Sequence, residues 1–374
     1  MEYKIKKSIA SNIKESYSIE GEDAFENIDI DCAEGINTVS FSDYAIEAFN
    51  SIDYTIMKDY PHSLTVKKSI IDFWKKYTDT EINYDNIVLC DGSIGALFLI
   101  NKLFIENNDK VLGLAPQFPE YKMDVTMSGG IFESYKLKPE NNYKFIASEF
   151  IDLINDDLKL IYLDNPNNPT GQIIPLEAIE KVLKSALDKN IVVIVDEAYG
   201  DYMNENNSAV NLVPKYENLI VTKTFSKAYG LAGLRGGYII QNEDLTKAMK
   251  NINTPYEMSS ITRVIASKVV SDHDFLEKMR KTNSEMKSQL IKEYKNLNIC
   301  ENGTTVSIMM VTHKNKDIDL EKEFAKLKIG VISCASFESL DKNSVRFRLP
   351  SPKYLSRIIA VSYTHLTLPT ICSV

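Results

Sequence analysis

The sequence predicts an α/β fold: a large domain with a mostly parallel sheet between helices, plus a smaller α+β domain. Three observations carry this expectation. Between about residues 85 and 240, short runs rich in Val and Ile alternate with longer stretches of helical period, the pattern of strands buried on both faces. After about residue 243, long polar helical patterns dominate, with a few strand-like runs among them. The length, 374 residues, suggests two domains, or one large one with an appendage, at roughly 150 residues per domain.

The elements follow in order. The first ~40 residues have weak periodicity and read as an arm that packs on the smaller domain or on a partner subunit. The clearest strands are Ile87–Cys90, Lys110–Ala115, Leu158–Leu163, Ile191–Val195, Leu219–Thr222 and Gly237–Ile240. Ile94–Ile105 and Pro175–Lys189 have helical period. Strands that alternate with helices need crossover connections, hence the parallel sheet. Asp274–Leu297 reads as a helix with a charged, solvated face. Thr305–Val311 and Ser344–Arg348 are strand-like, and Lys353–Ile359 reads as an amphipathic helix. Val361–Val374 contains no charged residue and has no helical period.

Composition excludes several classes of function. Lys and Arg number 43 against 52 Asp and Glu, a net charge of −9, which argues against binding nucleic acid. The start, MEYKIKKSIA, has no apolar core after its lysines and is no secretory signal. No stretch of ~20 apolar residues could span a membrane; Asn101 and Lys102 cut the run from Ala96 to Ile105. The five cysteines are scattered without a CxxC, and the four histidines make no HExxH. A disulfide framework or a metal site is therefore not expected, and a reducing cytoplasm is the default.

Four segments carry chemistry, and their order matters more than any one alone. Asp91-Gly92-Ser93-Ile94-Gly95 joins a strand to an apolar helix. Helix-start amides and the Ser93 hydroxyl make an anion site there, although N-capping is the blander reading. Asn165-Pro166-Asn167-Asn168-Pro169-Thr170-Gly171 follows a strand. It is a rigid turn at the end of a parallel strand, where such sheets place ligands. IVVIVDEAY ends a buried strand in Asp196 and Glu197, with Tyr199 close behind; a buried acid needs a partner. Ser226 to Arg235 reads Ser-Lys-x-x-Gly-x-x-Gly-x-Arg. Here a lysine sits among small residues beside a hydroxyl and an arginine that can grip a phosphate.

Taken together, these segments resemble the fold-type I pyridoxal-phosphate (PLP) enzymes, class I/II aminotransferases, and within them the histidinol-phosphate aminotransferase branch. The spacings agree: 28 residues from Asn168 to Asp196, 3 to Tyr199, 31 from Asp196 to Lys227 and 8 more to Arg235. The resemblance runs from about residue 30 to residue 359. It implies a seven-stranded large-domain sheet and a small domain built from both chain ends. The implied division is 1–40 for the arm and part of the small domain, 41–255 for the large PLP-binding domain and 256–360 for the small C-terminal domain. Residues 361–374 then read as a non-native tail.

The resemblance also implies roles. Lys227 holds the PLP aldehyde as a Schiff base and then acts as general base between the substrate Cα and the cofactor C4′. Asp196 pairs with the pyridine nitrogen, and Tyr199 and Asn168 bond the ring's O3′. Ser93, Ile94 and Gly95 present amides to the phosphate, with Thr224, Ser226 and Arg235 completing the grip. Phe118 stacks on the ring, with Tyr121 as the weaker substitute. Tyr60 reaches the neighbouring site across a homodimer. Arg346 receives a substrate carboxylate or phosphate, Arg348 assists or replaces it, and Asn168 touches substrate as well. Arg357 more often reads as an exposed helix residue.

The expected reaction moves an amino group from an amino acid, with glutamate as the expected donor, to an oxo acceptor of histidinol-phosphate or phosphonate type. The runner-up is decarboxylation, as in threonine-phosphate decarboxylase. A PLP-binding regulator would need a DNA-binding domain ahead of this part, and a nucleotide-binding oxidoreductase lacks its G-x-G-x-x-G. Three departures from the family pattern lie on the substrate side: Thr38 for a usual Pro, Ile94-Gly95 for a frequent acidic pair, and Pro350 where a Gly usually follows the arginine strand.

Overall fold

The computed structural model describes residues 3–12, 27–78, 81–294, 297–300 and 303–366; residues 367–374, most of the tail set apart above, lie outside it. In chain order the strands are β1 (Ile30–Asp31), β2 (Ile87–Cys90), β3 (Lys110–Ala115), β4 (Ile131–Lys136), β5 (Leu158–Asp164), β6 (Val192–Asp196) and β7 (Leu219–Thr224). They continue with β8 (Gly237–Gln241), β9 (Leu297–Ile299), β10 (Ile308–His313), β11 (Ile329–Gly330), β12 (Ile332–Ser333) and β13 (Ser344–Arg348).

One seven-stranded sheet has the order β2-β8-β7-β6-β5-β3-β4. Strands β7, β6, β5, β3 and β4 are parallel, and β8 is antiparallel to both β7 and β2. The central strands are nearly continuous Val, Ile and Leu because helices cover both faces. β4 (IFESYK) gave no apolar signal: it is an edge strand, half exposed, and carries polar residues.

A four-stranded antiparallel sheet, β12-β13-β10-β9, forms the second unit, beside the parallel pair of β1 with β11. β1 comes from the N-terminal part and β11 from the C-terminal part, so this unit draws on both ends of the chain. Ile30, Met286, Leu290, Phe324, Phe347 and Ile358 share its core. Helix Ser260–Val269 packs on Asp43–Asn50 and Thr65–Trp74, with Ile265 and Val269 in the large core. Helix His273–Glu293 then crosses over: Phe275 and Met279 belong to the large core, and Met286 and Leu290 to the small one. The last helix, Leu355–Leu366, runs on past Ile359 into the uncharged segment. No helix among the described residues is long and apolar enough to cross a membrane.

Candidate active site

Strands β5, β6 and β7 end at a cavity of about 450 Å³, the position where parallel sheets hold ligands. Each motif reaches it because each follows directly on a strand end. At the floor lies Asp196, 4% exposed. Its Oδ1 accepts from Thr222 Oγ1 on β7 at 2.7 Å, and its Oδ2 accepts from the Tyr162 hydroxyl on β5 at 3.2 Å. Burial pushes the Asp196 carboxyl up, while these bonds, an amide from Ala198 and the Lys227 charge hold it down. A carboxylate so placed has partners on both neighbouring strands and lines the cavity, where a cationic group would offset its burial.

The Lys227 nitrogen lies 5.4 Å from the centre of the Tyr199 ring. The buried Tyr199 hydroxyl has no hydrogen-bond partner, and burial raises it while Arg346 and Arg348 draw it back. A buried hydroxyl left without a partner on a cavity wall fits a ligand with a polar atom there.

At one end of the cavity, helix Gly92–Phe104 begins at Gly92, whose φ of 77° turns the chain out of β2. Any side chain there would press on Arg235, since a Cβ would stand 3.3 Å from Nη2. Ser93 and Ile94 line the wall with Thr224, Ser226 and Arg235. Thr224 Oγ1 lies 3.0 Å from both Ser226 Oγ and the Gly236 carbonyl. Helix-start amides, hydroxyls and a guanidinium converge here as an anion site. Gly95, expected among them, is not a lining residue; Gly92 takes its place.

Phe118 lines the cavity just before helix Pro119–Ser128. Tyr121 does not: it is fully buried, its ring stacked 3.9 Å from that of Tyr162. Tyr60 lies outside the cavity, 70% exposed and stacked on Tyr256 at 4.4 Å.

Arg346, on β13, links the small unit to Asn168 of the cavity wall. Its Nη1 donates to Asn168 Oδ1 at 3.3 Å and its Nη2 to the Ala33 carbonyl at 2.6 Å. Arg348 is the second candidate substrate arginine. It is 1% exposed and ion-paired with Asp31 at 2.5 Å, while its Nε donates to the Glu34 carbonyl at 2.7 Å. Two positions along a strand share a face, and both arginines donate to the segment that continues β1, Arg346 to Ala33 and Arg348 to Glu34, while Arg348 is also ion-paired with Asp31. Arg357 pairs with Asp29 on the surface.

Residues 31–38 form a strap over the site. Asn37 Nδ2 donates to the Ala228 carbonyl at 2.7 Å and Thr38 Oγ1 to that of Leu349 at 3.0 Å. A Cβ on Gly35 would stand 2.0 Å from the Tyr199 hydroxyl and 3.2 Å from the Lys227 nitrogen. Among the residues of the site given no individual role in the sequence reading are Gly92, Tyr162, Thr222 and the buried Asp164. Only the glycine left a signal, because a Gly between a strand and a helix marks a turn that needs positive φ.

The large mixed sheet, the lysine above a buried carboxylate and the anion site beyond them define a fold-type I PLP-dependent enzyme. The cavity fits that cofactor on its own chemistry: an acid for a ring nitrogen, an unpartnered hydroxyl, an amine and a phosphate grip. The pattern of the family "Aminotransferase class I and II" matches residues 37–361, and the chain belongs to that family, the PLP-dependent transaminases. It is 35% identical over 210 residues to a histidinol-phosphate aminotransferase of Ruminiclostridium cellulolyticum, a match spanning 56% of each chain. It is 32% identical over 268 residues to one of Methanococcus maripaludis, covering 70% of this chain and 71% of that one. The fold is similar to that of the histidinol-phosphate aminotransferase from Clostridium acetobutylicum, with a TM-score of 0.79 and 22% identity. That likeness covers 91% of this chain and 100% of the other. Aspartate aminotransferase from Thermotoga maritima superposes with a TM-score of 0.84 and 18% identity, over 97% of this chain and 100% of that one.

Proposed function

We propose that this enzyme moves an amino group from an amino acid, glutamate by expectation, to an oxo acceptor carrying an anionic group of histidinol-phosphate or phosphonate type. The observation that carries the proposal is the hydrogen bond from the buried Arg346 to Asn168, a residue of the cofactor cavity wall. A planar guanidinium there reads a carboxylate or phosphate through two parallel hydrogen bonds. The names of the curated relatives support the same class of acceptor.

When bound, PLP supplies an electron sink for the pair left on the substrate Cα. Lys227 holds the cofactor aldehyde and then carries a proton between the substrate Cα and the cofactor C4′. Asp196 keeps a proton on the pyridine nitrogen. Tyr199 and Asn168 donate to O3′, and Phe118 packs on the ring face. The helix start at Ser93 and Ile94, with Thr224, Ser226 and Arg235, would hold the phosphate. The strap over Gly35 keeps water from the reacting atoms. Tyr60 reaches the neighbouring site in a homodimer, in keeping with its exposure. Among the described residues, the cysteines Cys32, Cys90, Cys300 and Cys334 are buried and free, in keeping with the cytoplasmic location proposed.

Incubating the PLP-loaded enzyme with glutamate tests the reading. Conversion of the bound cofactor to its amine form, reversed by a phosphorylated or phosphonate oxo compound, is the expected result. Release of carbon dioxide from a phosphorylated amino acid without that conversion would instead make the enzyme a decarboxylase.

A further inference from the structure

Asp164 ends β5 directly opposite Asp196 on β6. Residues paired across parallel strands leave the sheet on the same face, and both acids line the same cavity. Asp164 is 3% exposed, and each of its oxygens takes a hydrogen bond from the turn that follows. Oδ1 accepts from Asn167 Nδ2 at 2.8 Å, and Oδ2 accepts from the Asn168 backbone N–H at 2.9 Å. Asn167 Nδ2 also reaches the Pro116 carbonyl at 3.0 Å, in the loop that leads to Phe118. Asn168 in turn accepts from Arg346. One carboxylate thus ties together the loop of Phe118, the turn of Asn168 and, through Asn168, Arg346.

A turn needs acceptors, and neutral ones would serve. A second buried carboxylate beside Asp196 is costly for a purely structural joint, because like charges and burial both oppose ionisation. A cationic ring held at Asp196 removes that opposition. We propose that Asp164 is a positioning residue of the cofactor site, whose carboxylate fixes Asn168 and adds a second negative charge beside Asp196. This rests on the PLP reading given above.

The charged and titratable groups around Asp164 agree with that role. Asp196 faces it from β6 and Tyr162 from its own strand. Tyr121 stands behind Tyr162, Lys227 and Glu120 line the cavity, and Arg346 is linked to it through Asn168. Burial pushes the Asp164 carboxyl up to about 7, against the bonds from Asn168 and Asn167. A bound cation shifts it toward the charged form.

The test is the visible band of PLP bound to the folded holoenzyme, followed against pH, in the unmodified protein and in Asp164→Asn. The nitrogen joining Lys227 to the cofactor is cationic when protonated, so removing a nearby anion lowers its pKa. In Asp164→Asn the midpoint should fall by about one pH unit, and the KM for the oxo acceptor should rise more than kcat falls. Asp164→Ser removes the charge within a smaller volume and is read in the same way if the asparagine variant does not fold. A midpoint that stays in place in a loaded variant overturns this proposal alone. Absence of a PLP band in the unmodified protein overturns it together with the reading beneath it.

Discussion

Arg348 Nη2 donates to both the carboxylate and the carbonyl oxygen of Asp31, each at 2.5 Å. This pair anchors the strap to the small unit, while Arg346, two positions earlier on β13, bonds Asn168 of the cavity wall. Arg348→Ala removes the partner of Asp31 and leaves the Glu34 carbonyl without its donor. It should cost about 3 kcal/mol of stability, read as a lower urea midpoint at unchanged slope.

Arg346→Lys keeps the charge and loses the fork. The lysine is a point donor and no longer matches a carboxylate bidentately. The KM for glutamate should rise at least about tenfold, equivalent to roughly 1.4 kcal/mol, while the PLP spectrum stays as in the unmodified enzyme. An unchanged KM would remove Arg346 from the substrate site.

Lys227→Ala should abolish the visible band of bound PLP and essentially all turnover. Absorbance and a transamination assay check both. A variant that kept the two would show that another group holds the aldehyde.

Gly35→Ala tests the strap. The new methyl would need the space of the Tyr199 hydroxyl, so the strap must lift by more than an ångström. Turnover should fall about 10²-fold, as misplacement of that size does, with little change in thermal midpoint. Steady-state kinetics beside a melting curve separate the two effects.

Lys287 gives a pH-dependent expectation. It is fully buried, donates to the Gly303 and Ile308 carbonyls at 2.9 and 3.1 Å, and burial pulls it from 10.5 down to about 7. Between those values the unfolded chain holds a proton that the folded one has lost, so stability rises with pH there and is lost as pH falls toward 7. The stability of the protein relative to Lys287→Met should therefore increase from pH 7 to pH 10, measured by denaturant titration at each pH.

Much of this protein was legible in the sequence alone. The central strands announced themselves as Val and Ile runs because burial on both faces leaves them no polar positions. Lys227, Asp196, Tyr199, Asn168 and Arg235 stood out because each sits within a few residues of a strand end, in a turn whose composition is distinctive. Such signals are local, and local signals survive in a one-dimensional string. Tertiary structure alone decided the rest. Asp164 meets Asp196 only through the lateral register of β5 on β6, and Thr222 and Tyr162 reach Asp196 from two separate strands. Arg346 and Arg348 look equivalent on β13 until β1, some three hundred residues earlier, claims Arg348 for Asp31. Helix Ser260–Val269 sides with the large core because of what it packs on, not what it contains. Periodicity records which face of an element is apolar; the partner that covers that face is fixed only when distant segments come together.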